Sequence, residues 1–174
     1  MGRVGRVGQV GRVGQAGAPG ASESPSKQVE RFIARFEPPV AALARAARAK
    51  LRARYPTAIE LVYDNYNALA IGFCSAERTS DCFVSVAVYA RGVNLYFFYG
   101  RSLKDPHKLL QGGGKQGAFI RFDTVAVFDR PAVLELLDEA VRNGDTPLPV
   151  KGRGRTVIRS ISAKQRPRRP RSHA

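Results

Sequence analysis

The chain has few of the residues that build metal centres and disulfide scaffolds, with two cysteines and two histidines among 174 residues. Two cysteines are too few for the disulfide framework of a small secreted domain. Cys74 and Cys82 also do not match the four-ligand spacing of a zinc site. We therefore expect both to be reduced residues of the core, because a free cysteine behaves as a small hydrophobic side chain.

Long hydrophobic runs are also missing. No stretch of roughly eighteen apolar residues is present, so the sequence predicts no membrane-spanning helix. The N-terminus has no apolar run that can form the core of a signal peptide. These two absences predict a cytoplasmic protein, and the length of the chain predicts a single domain with a real core.

Acidic residues are scarce, 14 against 29 basic ones, which gives a formal net charge of +15. The excess is confined to two stretches. Lys151 to the end contains nine basic and no acidic residues, and Arg31 to Arg54 contains seven basic residues with Glu37. From Tyr55 to Val150, nine basic and eleven acidic residues nearly balance. The sequence therefore predicts a nearly neutral folded body with one basic helix and one basic C-terminal segment.

Both ends of the chain have compositions that disfavour folding. Glycine recurs every third residue from Gly2 to Gly20, but Pro19 is the lone proline of the repeat, so a collagen helix is excluded. Without bulky apolar residues the repeat cannot offset its ordering entropy. We predict disorder for residues 1–25, a folded domain over 26–162, and a loose, basic, proline-rich tail over 163–174.

Hydrophobic periodicity predicts two helices followed by a sheet. The first helix starts with an N-cap at Ser26 and is ended by Pro38 and Pro39. The second runs from Val40 to about Tyr55. Strand-like segments with short links then follow, at Ile59–Tyr63, Ala68–Cys74, Cys82–Tyr89, Asn94–Tyr99 and Gly117–Thr124.

A last helix is predicted from Pro131, which suits the first helical position, and Thr156–Ser162 can add an edge strand. No helix separates the first five strands, so antiparallel pairing is favoured. The predicted class is α+β, an antiparallel sheet of about five to six strands packed against two N-terminal helices and one C-terminal helix.

Two runs, Ala58–Phe73 and Asn94–Lys115, are similar to the YdhG-like domain family. The second is the more specific, and its matching positions are Leu103, Asp105, Pro106, Leu109, Leu110, Gly112, Gly114 and Lys115. The resemblance covers roughly residues 30–142. It implies a bacterial α+β domain, and because one branch of the family is described as frataxin-like iron chaperones, it implies iron binding as an alternative function.

Residues that can hold iron are few. Glu135, Asp138 and Glu139 share a helix face, and hard cations favour such oxygen ligands, but acidic helix faces are usually solvated. His107 has no cysteine or histidine partner at ligand spacing. The sequence therefore predicts no metal site and no cofactor, with iron as the alternative.

The run Gly112–Lys115 suggests a phosphate loop, in which backbone N–H groups and a lysine surround an anion. A Walker sequence requires glycine at position 109 and serine or threonine at 116, where this chain has Leu109 and Gln116. A loop that uses glycine for positive φ is therefore favoured. The alternative is a small anion site, formed by Gly112, Gly114, Lys115 and Arg121.

The strand Leu95–Tyr99 is apolar on both faces, which is typical of a central strand or of one that lines a groove. Core packing is the favoured interpretation. The alternative is an aromatic ligand groove, formed with Phe83, Tyr89 and Phe98.

Several arginines form a stripe along the second helix, and the favoured interpretation is that this side of the helix faces solvent. Alternatively, it binds nucleic-acid phosphates together with the tail, through Arg45, Arg48, Arg52, Lys164, Arg166, Arg168, Arg169 and Arg171. No nucleophile has a base partner recognisable in the sequence. The sequence therefore favours a non-catalytic binding or adaptor module, with a nucleic-acid-associated protein as the alternative.

Overall fold

The computed structural model describes residues 22–112 and 114–170, and the predicted α+β class is confirmed. The helices are α1 (Pro25–Ile33), α2 (Pro38–Arg54) and α3 (Pro131–Arg142). The strands are β1 (Ile59–Asp64), β2 (Leu69–Cys74), β3 (Cys82–Tyr89), β4 (Gly92–Phe97), β5 (Ala118–Phe122) and β6 (Thr156–Ile161). Residues 1–21 of the segment predicted to be disordered lie outside the described residues.

The six strands form one sheet in the order β5-β4-β3-β2-β1-β6. Strands β1 to β5 pair antiparallel, as predicted from their short links. The predicted all-antiparallel sheet is wrong at β6, which pairs parallel to β1 with Leu61 opposite Val157. The chain reaches this edge through α3 rather than through a hairpin, and a crossover of that kind permits parallel pairing.

The helix boundaries differ from the prediction because of capping. Ser24, not Ser26, is the N-cap of α1, and its hydroxyl accepts a hydrogen bond from the Lys27 amide at 3.4 Å. Pro38 and Pro39 begin α2 rather than end α1. Proline at the first helical positions loses no hydrogen bond, since those amides have no partner within the helix.

The two faces of the sheet are unlike each other. On the covered face, side chains such as Ile71, Val86 and Leu95 join residues of all three helices in one buried core. Successive residues of a strand point to opposite faces, so Ala70, Ser85 and their neighbours point the other way. We call this side the open face, because the helices described here contribute nothing to the small hydrophobic cluster on it.

Cys74 and Cys82 are buried, as predicted, but the expectation that they are reduced is wrong. The structure joins them by a disulfide. The register of the neighbouring strands β2 and β3 pairs the two residues directly with each other. A separation of eight residues along the chain does not by itself reveal that pairing.

Candidate functional site

A cavity of about 340 Å³ lies on the open face, and we call it the open-face cleft. Its floor is formed by small side chains of β2 and β3, including Ala70, Ser85 and Ala87. Ser85 faces Gly72 on the neighbouring strand. Small residues at the centre of a sheet leave a depression where larger side chains would fill the space.

Four aromatic residues from β1, β3 and the β4 region form the walls of this cleft: Tyr63, Tyr89, Tyr96 and Phe98. The rings of Tyr96 and Phe98 meet edge to face, with centroids 5.4 Å apart. The hydroxyl groups of Tyr63 and Thr79 lie 2.6 Å apart, within hydrogen-bonding distance. Tyr89 is 41% exposed, so the cleft is open to solvent on that side.

Gly117, just before β5, determines where the Tyr96 ring lies. A Cβ atom at Gly117 would be 1.8 Å from the Tyr96 hydroxyl oxygen and 2.3 Å from its Cζ. These distances are far below any van der Waals contact. The glycine therefore allows the phenol to lie across the backbone and to form one wall of the cleft.

The Ser85 hydroxyl at the floor has no hydrogen-bond partner among the described residues. The residue is 2% exposed. A buried polar group without a partner costs about 1–3 kcal/mol, and native proteins contain few of them. A ligand that supplies a donor or acceptor to this hydroxyl would remove that cost.

The lining of the open-face cleft carries no carboxylate, imidazole, ammonium or guanidinium group. This neutrality contrasts with the chain as a whole, whose net charge is +15. Aromatic walls and uncharged polar groups suit a neutral ligand, because a charged one would lose its hydration without gaining an ionic partner.

Sequence reasoning identified part of this site. Tyr89 and Phe98 of the predicted aromatic groove do line the cleft. Phe83 does not, because its ring packs against Tyr55 in the covered core, with centroids 5.0 Å apart. Tyr63 and Ser85 were not predicted as site residues. Each follows a buried valine, Val62 or Val84, in its strand and therefore points to the opposite face of the sheet, which could have indicated them.

The structure does not bring the residues of the predicted anion site together. The Arg101 side chain donates to the Gly114 carbonyl at 3.1 Å and also to the Gly112 carbonyl, so these carbonyls face a cation instead of amides facing an anion. Lys115 precedes β5, whereas Arg121 lies near its far end and donates to the Arg91 carbonyl at 2.8 Å. The strand separates the two charges.

The positions that resemble the YdhG-like motif stabilise one loop. The Asp105 carboxylate accepts hydrogen bonds from the amides of Leu109 at 2.9 Å and Leu110 at 2.8 Å. Leu103 and Leu110 pack against the main core. An aspartate that caps nearby amides is a turn-forming device, so this part of the motif has a structural explanation.

Two of the predicted nucleic-acid contacts are buried and already paired. Arg48 is 4% exposed and donates to both carboxylate oxygens of Glu60 at 2.8 Å. Arg168 is 6% exposed and donates to Asp64 at 2.7 Å. Neither is available to a phosphate. The others that the structure describes, Arg45, Arg52, Lys164, Arg166 and Arg169, are exposed, and Arg171 lies outside the described residues.

Residues 163–170 lie against the domain, in contrast to the loose tail expected for them. The Arg166 amide donates to the Tyr66 carbonyl at 2.9 Å. The Arg168 guanidinium lies over the Phe36 ring, 5.5 Å from its centroid. A charged side chain can be buried when its partners are fixed in place, and here Asp64 is such a partner.

The acidic cluster of α3 is engaged with neighbouring groups. Asp138 pairs with Arg54, and Glu139 accepts a hydrogen bond from the Lys104 amide at 3.1 Å. Within residues 22–112 and 114–170, no three histidine, cysteine or acidic side chains are grouped closely enough to hold a metal ion.

None of the helices that the structure describes combines the length and hydropathy needed to span a bilayer. Comparison of the chain with protein-family models, with curated proteins and with solved structures found no match. The function of the chain must therefore be argued from its own geometry.

Proposed function

We propose that the protein is a non-catalytic binding module whose open-face cleft holds a neutral, planar aromatic small molecule. The observation that carries this proposal is the buried, unpartnered hydroxyl of Ser85 at the floor, between aromatic walls. Membership of the YdhG-like family belongs to the same proposal, and the sequence runs Ala58–Phe73 and Asn94–Lys115 support it. The expected cytoplasmic location rests on the sequence alone, and the Cys74–Cys82 disulfide, a bond that is rare in the cytosol, argues against it.

The size and chemistry of the cleft support this ligand class. Small-molecule sites occupy roughly 300–1,000 Å³ and combine apolar walls with a few polar groups, and this cleft has about 340 Å³. Edge-to-face or offset contacts between aromatic rings contribute about 0.5–1.5 kcal/mol each beyond their buried area. A planar ring between Tyr89, Tyr96 and Phe98 can make such contacts while its polar group reaches Ser85.

Binding rather than catalysis is favoured by what surrounds Ser85. A serine nucleophile needs an adjacent base that is held in turn by an orienting group. The lining of the cleft contains no imidazole, carboxylate or amine. The hydroxyl group is therefore suited to hydrogen bonding and not to attack on a substrate.

Calorimetric titration with three matched probes, 2-naphthol, naphthalene and 2-naphthoate, tests the proposal. We expect 2-naphthol to bind best, because it alone is neutral and has a hydroxyl group for Ser85. Substitution Ser85→Ala should weaken 2-naphthol binding about five-fold, equivalent to one net hydrogen bond of about 1 kcal/mol. The same substitution should not weaken naphthalene binding.

Substitution Tyr96→Ala should weaken both neutral probes, since it removes a wall of the cleft. Gly117→Ala should do the same by displacing the Tyr96 ring. Tyr66→Ala is the matched control, because Tyr66 is 49% exposed and does not line the cleft. Absence of binding at millimolar probe concentration, or equal losses with Tyr66→Ala and Tyr96→Ala, would show the proposal to be wrong.

A further inference from the structure

A second cavity, of about 240 Å³, lies where α2 ends and β6 begins. We call it the edge cleft. Three arginines line it, Arg52 from α2 and Arg153 and Arg155 from the segment before β6, with Glu60 among the remaining lining residues. Arg52 was among the candidate phosphate contacts predicted from the sequence, whereas Arg153 and Arg155 were not.

Backbone contacts fix the segment that carries two of these arginines. The Gly154 amide donates to the Pro56 carbonyl at 2.8 Å, and the Glu60 amide donates to the Arg155 carbonyl at 2.9 Å. A Cβ atom at Gly154 would be 1.8 Å from the Ala58 carbonyl oxygen. The glycine thus lets the segment lie directly on the connection between α2 and β1.

Arg153 and Arg155 flank this glycine and both line the cleft. One short segment thus contributes both guanidinium groups to the cleft. Because the backbone is anchored at Gly154 and Arg155, little ordering of the main chain is needed when a ligand binds. Such preorganisation lowers the cost of binding.

The carboxylate of Glu60 does not neutralise this cluster. Arg48 donates to it through two nitrogens, each at 2.8 Å, and Thr156 donates its hydroxyl at 2.5 Å. Arg52 is an additional partner at 3.2 Å, and its side chain is 42% exposed. The outward side of Arg52 is therefore free to contact a second anion.

Charges around the edge cleft leave a positive surplus. Its connected ion pairs contain three carboxylates, those of Glu30, Glu60 and Glu77. The arginines in the same pairs are Arg45, Arg48, Arg52, Arg155 and Arg159. Arg153 forms no ion pair or hydrogen bond within the part of the chain that the structure describes. With Arg153 included, six positively charged arginines stand against three negatively charged carboxylates around the cleft.

We infer that the edge cleft binds a phosphate group. Guanidinium groups form paired hydrogen bonds with phosphate oxygens and remain charged at all ordinary pH values. A phosphomonoester carries about −1.5 to −2 charges at pH 7, which matches the surplus better than the single charge of a carboxylate. The phosphate can belong to a small phosphorylated molecule or to a nucleic acid.

Titration of the full chain with methyl phosphate, inorganic pyrophosphate and acetate tests the inference. We expect pyrophosphate and methyl phosphate to bind, and acetate to bind at least ten-fold more weakly. Substitution Arg153→Gln should weaken phosphate binding at least ten-fold, because a hydrogen bond to a charged group contributes about 1.5 kcal/mol or more. Both the chain and the variant should unfold at the same urea concentration, since Arg153 is exposed.

Lys151→Gln is the matched control. It removes one positive charge from the same segment, but Lys151 does not line the cleft. We expect less than a two-fold effect from it. Equal weakening by Lys151→Gln and Arg153→Gln, or no phosphate binding at millimolar concentration, would overturn the inference.

Oligothymidine with and without a 5′-phosphate distinguishes the two sources of the phosphate. A preference for the phosphorylated strand that Arg153→Gln abolishes identifies a terminal or small-molecule phosphate. Equal binding of both strands, with a steep salt dependence and loss in Arg153→Gln, identifies the nucleic-acid backbone. Substitution Tyr96→Ala should leave phosphate binding unchanged, because Tyr96 lines the open-face cleft and not the edge cleft. The phosphate inference and the aromatic-ligand proposal can therefore fail independently of each other.

Discussion

The covered and open faces of the sheet differ in how their buried polar groups are paired. On the covered face, Glu60 and Asp64 of β1 are 3% and 0% exposed, and each is held by two arginines. On the open face, the Ser85 hydroxyl has no partner within the described residues. The buried carboxylates of the covered face are therefore paired within the protein, although the Nε and Nη1 groups of Arg168 have no partner among the described residues. The unpartnered hydroxyl of the open face differs in lining a cleft that a ligand can enter.

The two carboxylates of the covered face also connect distant parts of the chain. Glu60 joins Arg48 of α2 to Thr156 of β6. Asp64 joins Arg35, which follows α1, to Arg168 of the C-terminal segment. The hydrogen bond at Glu60 and the ion pair at Asp64 thus add to the packing of α1 against β6 in holding the parallel edge strand and the segment after it.

The largest effect should come from breaking the Arg48–Glu60 pair. Substitution Arg48→Met leaves a buried carboxylate short of its main partner, which costs about 3–5 kcal/mol in comparable cases. The free energy of unfolding, measured in urea, should fall by that amount. The double variant Arg48→Met/Glu60→Leu should regain most of the loss, and a loss below about 1 kcal/mol in the single variant would contradict this account.

Acid should weaken the same pair in the unmodified protein. Burial opposes ionisation of Glu60, but hydrogen bonds and attraction from Arg48, with Thr156 and Arg52, outweigh it and lower the pKa of Glu60 below its ordinary 4.5. A carboxyl group with a lowered folded pKa stabilises the protein above its unfolded pKa and loses that contribution as the pH falls through the folded value.

We therefore expect the stability advantage of the unmodified chain over Glu60→Gln to be full above about pH 5 and to shrink below the unfolded pKa of about 4.5. Urea unfolding of both proteins across this range measures the difference. A constant advantage down to about pH 3 would show that Glu60 ionisation does not contribute as described.

The Cys74–Cys82 disulfide cross-links β2 and β3 within the small hydrophobic cluster of the open face. Cross-linking residues eight apart should stabilise the fold by about 2.5 kcal/mol through loss of entropy in the unfolded chain. The double substitution Cys74→Ala/Cys82→Ala should lose about that much. Thiol titration of the denatured, unreduced chain should find no free cysteine; two free thiols would restore the expectation of a reduced pair.

The C-terminal segment should depend on Arg168 rather than on charge in general. Substitution Arg168→Ala removes hydrogen bonds to Asp64 and to the Asn65 carbonyl and should cost about 2 kcal/mol. Arg169→Ala is the matched control, because Arg169 is exposed and should cost below about 0.5 kcal/mol. Hydrogen exchange should show faster amide exchange at Arg166 in the first variant than in the second.

The smallest effect on stability is expected at the walls of the open-face cleft. Tyr89 is 41% exposed, and substitutions at such positions usually change stability by less than about 0.5 kcal/mol. Tyr89→Ala should therefore unfold like the unmodified chain while binding 2-naphthol more weakly. A large loss of stability would mean that the open face is a structural interior like the covered one.

Sequence reasoning located all six strands and the three helices to within a few residues, because hydrophobic periodicity and proline are local signals. It favoured solvent exposure for the arginine stripe of α2, yet Arg48 is buried. Local patterning cannot reveal that Glu60, twelve residues away, lies opposite Arg48. The predicted aromatic groove had one wrong member, Phe83. The pairing of β2 and β3 is irregular near Cys74, so the alternation of side chains between the two faces of the sheet is interrupted at Phe83.

The sequence by itself determined the α+β class and the order of elements, since these follow from local propensity and spacing. The tertiary structure alone decided the parallel pairing of β6, the Cys74–Cys82 disulfide and the meeting of Arg52 with Arg153 and Arg155. Each of these joins residues whose contact depends on how the sheet is ordered. Strand order is set by the packing of the whole chain, so no local pattern encodes it.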